Sequence, residues 1–236
     1  MKIQVIKTRI FKERDDLISF IINYIPKVND GDILVITSKI VALSENRTVE
    51  ILNNKTREEI IKRESQFMMK TKYTWLTIKD GMVLASAGVD ESNANGKIIL
   101  LPKDSFYSAV YIRRKLKQHY KIKNLGIIIS DSRLLPLRVG VVGIAIGYAG
   151  FKGVKSYINR EDIFGRILKF SRTDVADSLA TSAVLLMGEG NECQPLAVIT
   201  DAPAVFTNGV NKMELYVNPK EDIYQPLFER IKKIKY

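Results

Sequence analysis

The residues in this chain best suited to chemistry are carboxylates and hydroxyls beside glycines or just past apolar runs. Ser130-Asp131-Ser132 follows Ile127 to Ile129, a β-branched run of the kind that forms a buried strand. Asp90 lies in a polar loop flanked by Gly88 and Gly96, and Glu189 lies between Gly188 and Gly190. Their oxygens are hard donors of the sort Mg²⁺ or Mn²⁺ accepts. Glycine beside a carboxylate lets backbone and metal approach closely. Three separated carboxylates and one hydroxyl suffice for a two-metal nucleotide site. Each motif also has a plainer reading: a turn residue for Asp90, a helix C-cap for Gly188-Glu189-Gly190, and a core hairpin for residues 125–150.

Other chemistries find little support. No GxxxxGK[ST] loop is present, nor a GxGxxG after a strand. The single histidine, His119, ends a basic helix and reads as a surface residue, which disfavours a Ser-His-Asp triad. The single cysteine, Cys193, rules out an internal disulfide and a multi-cysteine metal site, and makes the cytoplasm the default location.

The 236 residues fit one large domain, taken as 1–236, or two small lobes. A hydrophobic fraction of 46% supports a real core, and no apolar run approaches the roughly 20 residues of a membrane span. The net charge of +11 suits small anionic substrates as well as nucleic acid. The basic residues are dispersed, and the densest group, Arg113 to Lys123, reads as a solvated helix face. No nucleic-acid or membrane partner is expected.

Elements to position these residues follow from periodicity and caps. Residues 3–6 form a strand. Asp15 or Asp16 caps a helix whose apolar face is Leu17, Phe20, Ile21, Tyr24 and Ile25, ended by Pro26. Ile33 to Ile36 is a buried strand ending on Thr37-Ser38-Lys39. Thr56 and Glu59 form a capping box for a helix to about Lys70. Tyr73 to Ile78 and Met82 to Ala85 form a hairpin around Asp80-Gly81. Ile98 to Leu101 is a strand, and Asp104 or Ser105 starts a helix through Tyr120. The glycine-spaced run Val141 to Gly150 is expected to pack tightly against another backbone, across a dimer interface. Thr173 or Asp174 caps a helix to Met187, and Leu196 to Thr200 is a strand. A final amphipathic stretch starts at Asn218-Pro219, with a kink or restart at Pro226. Strands and helices interleave without a regular βαβ period, so the fold class is α+β.

The runs GDILVITSK, SAGVDESN, ISDS followed by LRVGVVGIAIG, REDIFGR and LLMGEG, in this order, resemble the coenzyme F420-0:gamma-glutamyl ligase family. Members add glutamate to a deazaflavin cofactor precursor with GTP and a divalent metal, in an α+β unit that forms an intertwined homodimer. The resemblance implies metal roles for Asp90, Asp131, Ser132 and Glu189. It implies nucleotide contacts for Ser38, Lys39, Asn93 and the Gly188-Glu189-Gly190 turn, and more loosely for Thr8, Arg9, Ile10 and Phe11. Catalytic roles fall to Asp131 and to Arg138, which would hold the anionic acceptor or phosphates. The implied cofactors are Mg²⁺ or Mn²⁺, with potassium as a further candidate. The partners are GTP, L-glutamate, an anionic cofactor acceptor and a second copy of the chain.

The chain departs from the family pattern at three places. A KAEGR-like motif reads Leu43-Ser44-Glu45-Asn46-Arg47, a DTNGR-like segment reads Asp131 to Arg138, and the run after GEG is Asn191-Glu192-Cys193-Gln194. Leu134, Leu135 and Leu137 make an apolar patch that either accepts a ring system, which favours folate as acceptor, or packs in the core. A folate polyglutamate ligase is therefore one alternative. A metal-dependent nucleotide hydrolase and a non-catalytic basic binding protein are the rival classes.

Overall fold

Two central strands with almost unbroken apolar sequence set the architecture. They are β2 (Asp32–Thr37) and β8 (Leu125–Leu134), which pair in parallel. Such runs suit strands covered on both faces. The structure, a computed structural model, describes residues 1–50 and 54–228. From the N-terminus come β1 (Lys2–Ile6), α1 (Leu17–Tyr24), β2, α2 (Ser38–Ser44), β3 (Thr48–Glu50) and α3 (Asn54–Glu64). Then follow β4 (Phe67–Lys70), β5 (Trp75–Lys79), β6 (Met82–Ala85), β7 (Lys97–Ile99), α4 (Ser105–Tyr120) and β8. The rest is β9 (Val141–Ala149), β10 (Val154–Ser156), β11 (Arg172–Asp174), α5 (Val175–Met187), β12 (Leu196–Thr200) and α6 (Gln225–Phe228).

Among the described residues the main sheet has five strands in the order β1-β12-β2-β8-β9, and every pairing in it except β2–β8 is antiparallel. Alternation sorts its side chains. Leu34, Ile36, Ile127 and Ile129 pack with α1 and α4 on one face. Ile33, Val35, Ile128 and Ala145 pack with α5 on the other. A smaller cluster of Ile60, Ile61, Ala87, Val89, Ile98 and Leu100 joins α3 to the turn after β6 and to β7. The interleaved, mostly antiparallel arrangement is the expected α+β class. Among the described residues no helix is long and apolar enough to cross a membrane.

Three helix starts follow the caps read from sequence. Asp16 accepts the Ser19 N–H at 2.7 Å, Asp104 that of Tyr107 at 2.9 Å, and Asp174 that of Asp177 at 2.9 Å. Each cap satisfies a donor that the first helical turn leaves open, worth about 1 kcal/mol. The hairpin around Asp80-Gly81 is present as β5–β6. In the basic segment of α4, Arg114 and Lys115 are exposed. Arg113 instead donates to the Leu125 carbonyl at 2.7 Å and to Asn208 at 3.0 Å.

Four expectations need correction. The helix expected to reach Lys70 ends at Glu64, because Phe67–Lys70 pairs with β5 as a third hairpin strand and Met68, like Trp75, packs against the cluster that holds α3. Thr56 lies inside α3 rather than ahead of it, and its side chain lies outside the described residues. The segment after Thr37 turns directly into the short helix α2, which no periodicity announced. The glycines of β9 do approach backbone closely, but within the same chain. A Cβ on Gly143 would meet the Ala180 carbonyl of α5 at 2.8 Å, and one on Gly147 the Ser105 carbonyl carbon of α4 at 2.4 Å. The stretch expected to start at Asn218-Pro219 is turns and bends through Tyr224, and the short helix α6 begins only at Gln225, with Pro226 in its first turn, where proline is tolerated; residues 229–236 lie outside the described residues.

Candidate active site

The chemistry-bearing residues gather where β2 and β8 leave the sheet together. Ser38 is the first residue of α2, directly after β2, and its backbone neighbour Thr37 pairs with Ser130. The buried Ser38 hydroxyl donates to Asp131 Oδ1 at 3.2 Å. Lys39 Nζ sits 2.8 Å from Asp90 Oδ2 and donates to Ser92 Oγ at 2.8 Å. Ser92 in turn gives its N–H and hydroxyl to Asp90, at 2.7 and 2.9 Å. Asp90 itself is pinned by a two-way backbone bridge to Ile99, at the end of β7. Two sequence-distant carboxylates, two hydroxyls and one ammonium thus share a corner.

Successive residues of a strand point to opposite faces. Asp131 serves the α2 side, and Ser132 serves the α5 side, where its hydroxyl donates to Glu189 Oε1 at 2.6 Å. Glu189 lies just past the C-terminus of α5, in the turn that Gly188 opens with φ 83°. Asn93 closes the circuit by donating to the Gly190 carbonyl at 3.0 Å. Glu192 folds back so that its carboxylate accepts the Gly190 N–H at 2.8 Å. The Cys193 carbonyl accepts the Thr8 N–H at 2.9 Å, and the Pro195 carbonyl accepts that of Thr37 at 3.0 Å.

Electrostatics differ between the carboxylates. Burial, with a smaller contribution from the Asp90 charge, raises the Asp131 carboxyl to about 6, although the Ser132 N–H and the Ser38 hydroxyl oppose the shift. Burial also pushes Asp90 upward, but Lys39 and Ser92 together outweigh it and hold that group below the ordinary carboxylate range. The donor set fits a hard divalent cation in chemistry: oxygens only, with Asp90 and Asp131 repelling one another. Among the described residues, however, no three His, Cys, Asp or Glu side chains are already arranged around one point.

A family model of F420-0:gamma-glutamyl ligase matches residues 5–201. The chain belongs to this family. It is 35% identical over 216 residues to the coenzyme F420:L-glutamate ligase of Methanococcus maripaludis, covering 84% of this chain and 86% of that one. The protein of that name from Methanocaldococcus jannaschii is 34% identical over 243 residues, covering 94% and 96%. That of Archaeoglobus fulgidus is 30% identical over 239 residues, covering 94% of each.

The places where this F420-0:gamma-glutamyl ligase family member departs from the pattern now have physical content. In Leu43-Ser44-Glu45-Asn46-Arg47, Asn46 takes φ 55°, the left-handed conformation a glycine would supply. Glu45 accepts the Ser108 hydroxyl at 2.5 Å and the Lys103 N–H at 2.9 Å. Arg47 pairs with Glu64 at 2.7 Å and donates to the Leu101 carbonyl at 3.0 Å. Leu43 packs against the core, where a lysine would have to reach out.

The loosely implied nucleotide segment divides. Thr8 adjoins the Cys193 loop, but Phe11 is a core residue stacked edge-on against Phe20 at 4.9 Å. Arg9 is engaged with Asp15 at 2.5 Å, and Ile10 is exposed. Arg138 lies at the exposed tip of the β8–β9 hairpin, and its N–H bonds to Leu135; within one chain it makes no contact with Asp131 among those described. Leu134, Leu135 and Leu137 are exposed there too, so they are not core residues. Sequence reasoning missed Ser92, which holds both Asp90 and Lys39, although the DESN run contains it. Arg133, which follows Ser132 in the run read from sequence but was given no role, has its Nε buried with no hydrogen-bond partner among the described residues.

Proposed function

We propose that this protein is a cytoplasmic coenzyme F420:L-glutamate ligase that uses GTP and a divalent metal. Family membership supports the reaction class, and the names of the relatives support the deazaflavin acceptor over folate. The observation that carries the site assignment is the connected set of contacts from Ser38 and Asp131 through Lys39 and Asp90, and from Ser132 to Glu189.

A carboxylate is a poor electrophile, so the acceptor carboxylate first attacks the terminal phosphorus of GTP and GDP leaves. The amine of L-glutamate then attacks the acyl phosphate carbon, releasing phosphate and a proton as the amide forms. Mg²⁺ or Mn²⁺, when held by Asp90, Asp131, Ser132 and Glu189, supplies neutralisation of phosphate charge. Lys39 moves its ammonium from Asp90 toward the phosphates, while Asn93 and the Gly188–Gly190 backbone orient the nucleotide. Most of the catalysis is positioning and electrostatics, which is why no histidine is needed.

A homodimer belongs to the same proposal. Leu137 and Val139 at the hairpin tip, and Ile163, Phe164 and Phe170 between β10 and β11, are almost fully exposed in one chain. Apolar surface of this kind is what a second copy covers, and Arg138 would reach a site only across such an interface.

The test is incubation with labelled glutamate, GTP or ATP, Mg²⁺ or Mn²⁺, and a panel of deazaflavin and folate acceptors, with light scattering at micromolar concentration. Label transferred to the deazaflavin with GTP, lost in Asp131→Asn, is expected. Nucleotide hydrolysis that ignores glutamate would instead identify a hydrolase.

A further inference from the structure

Between Ile129 and Ser130 the β8–β9 ladder slips by one residue. Ile129 faces Gly147, but Ser130 faces Ala145, so β9 carries one residue more than β8 at that step. The slip is a β-bulge, and it sits one residue before Asp131. Its effect shows in the packing. Ile144 and Ile146 join the α1–α4 face, while Tyr148, of the same parity, joins the α5 face. Beyond the bulge, therefore, the side chains of β9 have changed faces relative to the strand before it, and the register of Asp131 and Ser132 depends on where the bulge is held.

Helix α5 holds it. Asp177 Oδ1 accepts the Ala145 N–H at 2.9 Å, directly opposite Ser130. One turn further on, the Thr181 hydroxyl donates to the Gly143 carbonyl at 2.6 Å, directly opposite Ser132. These two contacts grip β9 on either side of Ile144, the residue facing Asp131. The helix lies close enough to do so because Gly143 has no Cβ: one built there would fall 2.6 Å from Val184. The same helix ends at the turn that carries Glu189, which returns to Ser132.

We infer that Asp177 and Thr181 are positioning residues, which fix the bulge in β9 and thereby set the register at which β8 presents Asp131 to Ser38 and Ser132 to Glu189. The inference rests on the ligase reading for its consequence in turnover, but not for its geometry. Neither side chain touches the site, and both act through the backbone of β9. What Asp177 contributes is an acceptor oxygen at a fixed place, which asparagine also has.

The experiment compares Asp177→Ala, Asp177→Asn and Thr181→Val with the wild-type full-length protein. Amide hydrogen exchange is followed over residues 141–149, and kcat and KM for glutamate are measured well below each variant's melting temperature. Asp177→Ala and Thr181→Val should speed exchange at Ala145 and Gly143 respectively or at their neighbours. They should lower kcat about 10- to 100-fold, the scale of a sub-ångström to 1 Å misplacement, with KM for glutamate within about twofold. Asp177→Asn should restore most of both properties. Wild-type kcat in Asp177→Ala would overturn the inference, as would equal losses in Asp177→Ala and Asp177→Asn, which would make charge the cause. Unchanged exchange in both Asp177→Ala and Thr181→Val would overturn the geometry itself. A wild-type protein with no ligase activity would instead sink the functional reading, and the exchange data would still decide whether α5 holds the bulge.

Discussion

Replacing Gly143 by alanine places a methyl group against the fixed middle of α5. The new Cβ would lie 2.6 Å from the Val184 Cβ and 2.8 Å from the Ala180 carbonyl oxygen. Neither atom is the free end of a flexible side chain, so the helix and strand must part by about 0.8 Å to reach ordinary contact at 3.4 Å. Overpacking of this kind costs about 1–3 kcal/mol. In a domain of this size each kcal/mol lowers the melting temperature by about 2–4 °C, so a fall of about 2–12 °C is expected. Function should suffer more than stability. Gly143 faces Ser132 across the ladder, and displacing α5 also displaces Glu189. A shift approaching 1 Å can cost about 100-fold in rate, so kcat should fall about 10- to 100-fold at temperatures where the variant is still folded. The matched control is Gly209→Ala, where the nearest atom to the added Cβ is Thr207 Oγ1 at 3.8 Å. Thermal unfolding by circular dichroism and steady-state kinetics read the two effects. An alanine variant with wild-type melting temperature and rate would refute the claim that α5 sets the site through this contact.

Burial and the neighbouring Asp177 charge raise the Asp174 carboxyl above the ordinary range, to about 6. The folded state therefore holds that proton more tightly than the unfolded chain does, and stability falls as pH rises from about 4 through 6. Asp174→Asn keeps a capping oxygen and removes the charge, so it should gain about 1–2 kcal/mol at pH 7.5 and nothing near pH 4; a melting-temperature difference independent of pH would contradict this. Glu214 accepts both the Tyr148 hydroxyl and the Gly153 N–H at 2.8 Å. Glu214→Ala leaves the two donors unpaired and should cost about 1–3 kcal/mol for each that water cannot reach, measured by urea unfolding, with a loss under about 0.5 kcal/mol counting against the tie. Leu135→Arg, at the exposed hairpin tip, should leave stability within about 0.5 kcal/mol and GTP binding unchanged while altering acceptor preference. Equal turnover across the acceptor panel would remove Leu135 from the acceptor site.

Much of this molecule could be read from local pattern. Asp16, Asp104 and Asp174 each announce a helix because a cap is a contact within four residues. The central strands announce themselves by apolar runs. What escaped is non-local. SKIVALS carries no polar face, since α2 is enclosed by the sheet end and β7, so it reads as continuing the strand. FMMK lacks any period and becomes a strand only because Trp75–Lys79 is there to pair with it. The site motifs were legible one by one, as Asp90, Asp131, Ser132 and Glu189, but their linkage depends on Lys39, Ser92 and Asn93 reaching across large stretches of chain. Arg138 looked close to Asp131 in sequence, yet seven residues along an extended hairpin carry it away. The bulge at Ile146 has no signature, because a buried isoleucine suits a regular ladder equally well.

The strand order β1-β12-β2-β8-β9 also constrains how the polypeptide can mature. Among the described strands β1 comes first in the chain and lies at the sheet edge, and its neighbour is β12, which comes last. β2 waits for β8 on one side and for β12 on the other. During translation, then, β1 and β2 emerge with unpaired backbone and apolar faces, and neither gains its full set of neighbours until residue 200 has been made. Long-range pairing of this kind folds slowly and leaves strand edges open to other chains. Growing chains truncated before β12 should therefore bind holdase chaperones and resist folding, so that the protein becomes protease-resistant late and in one step.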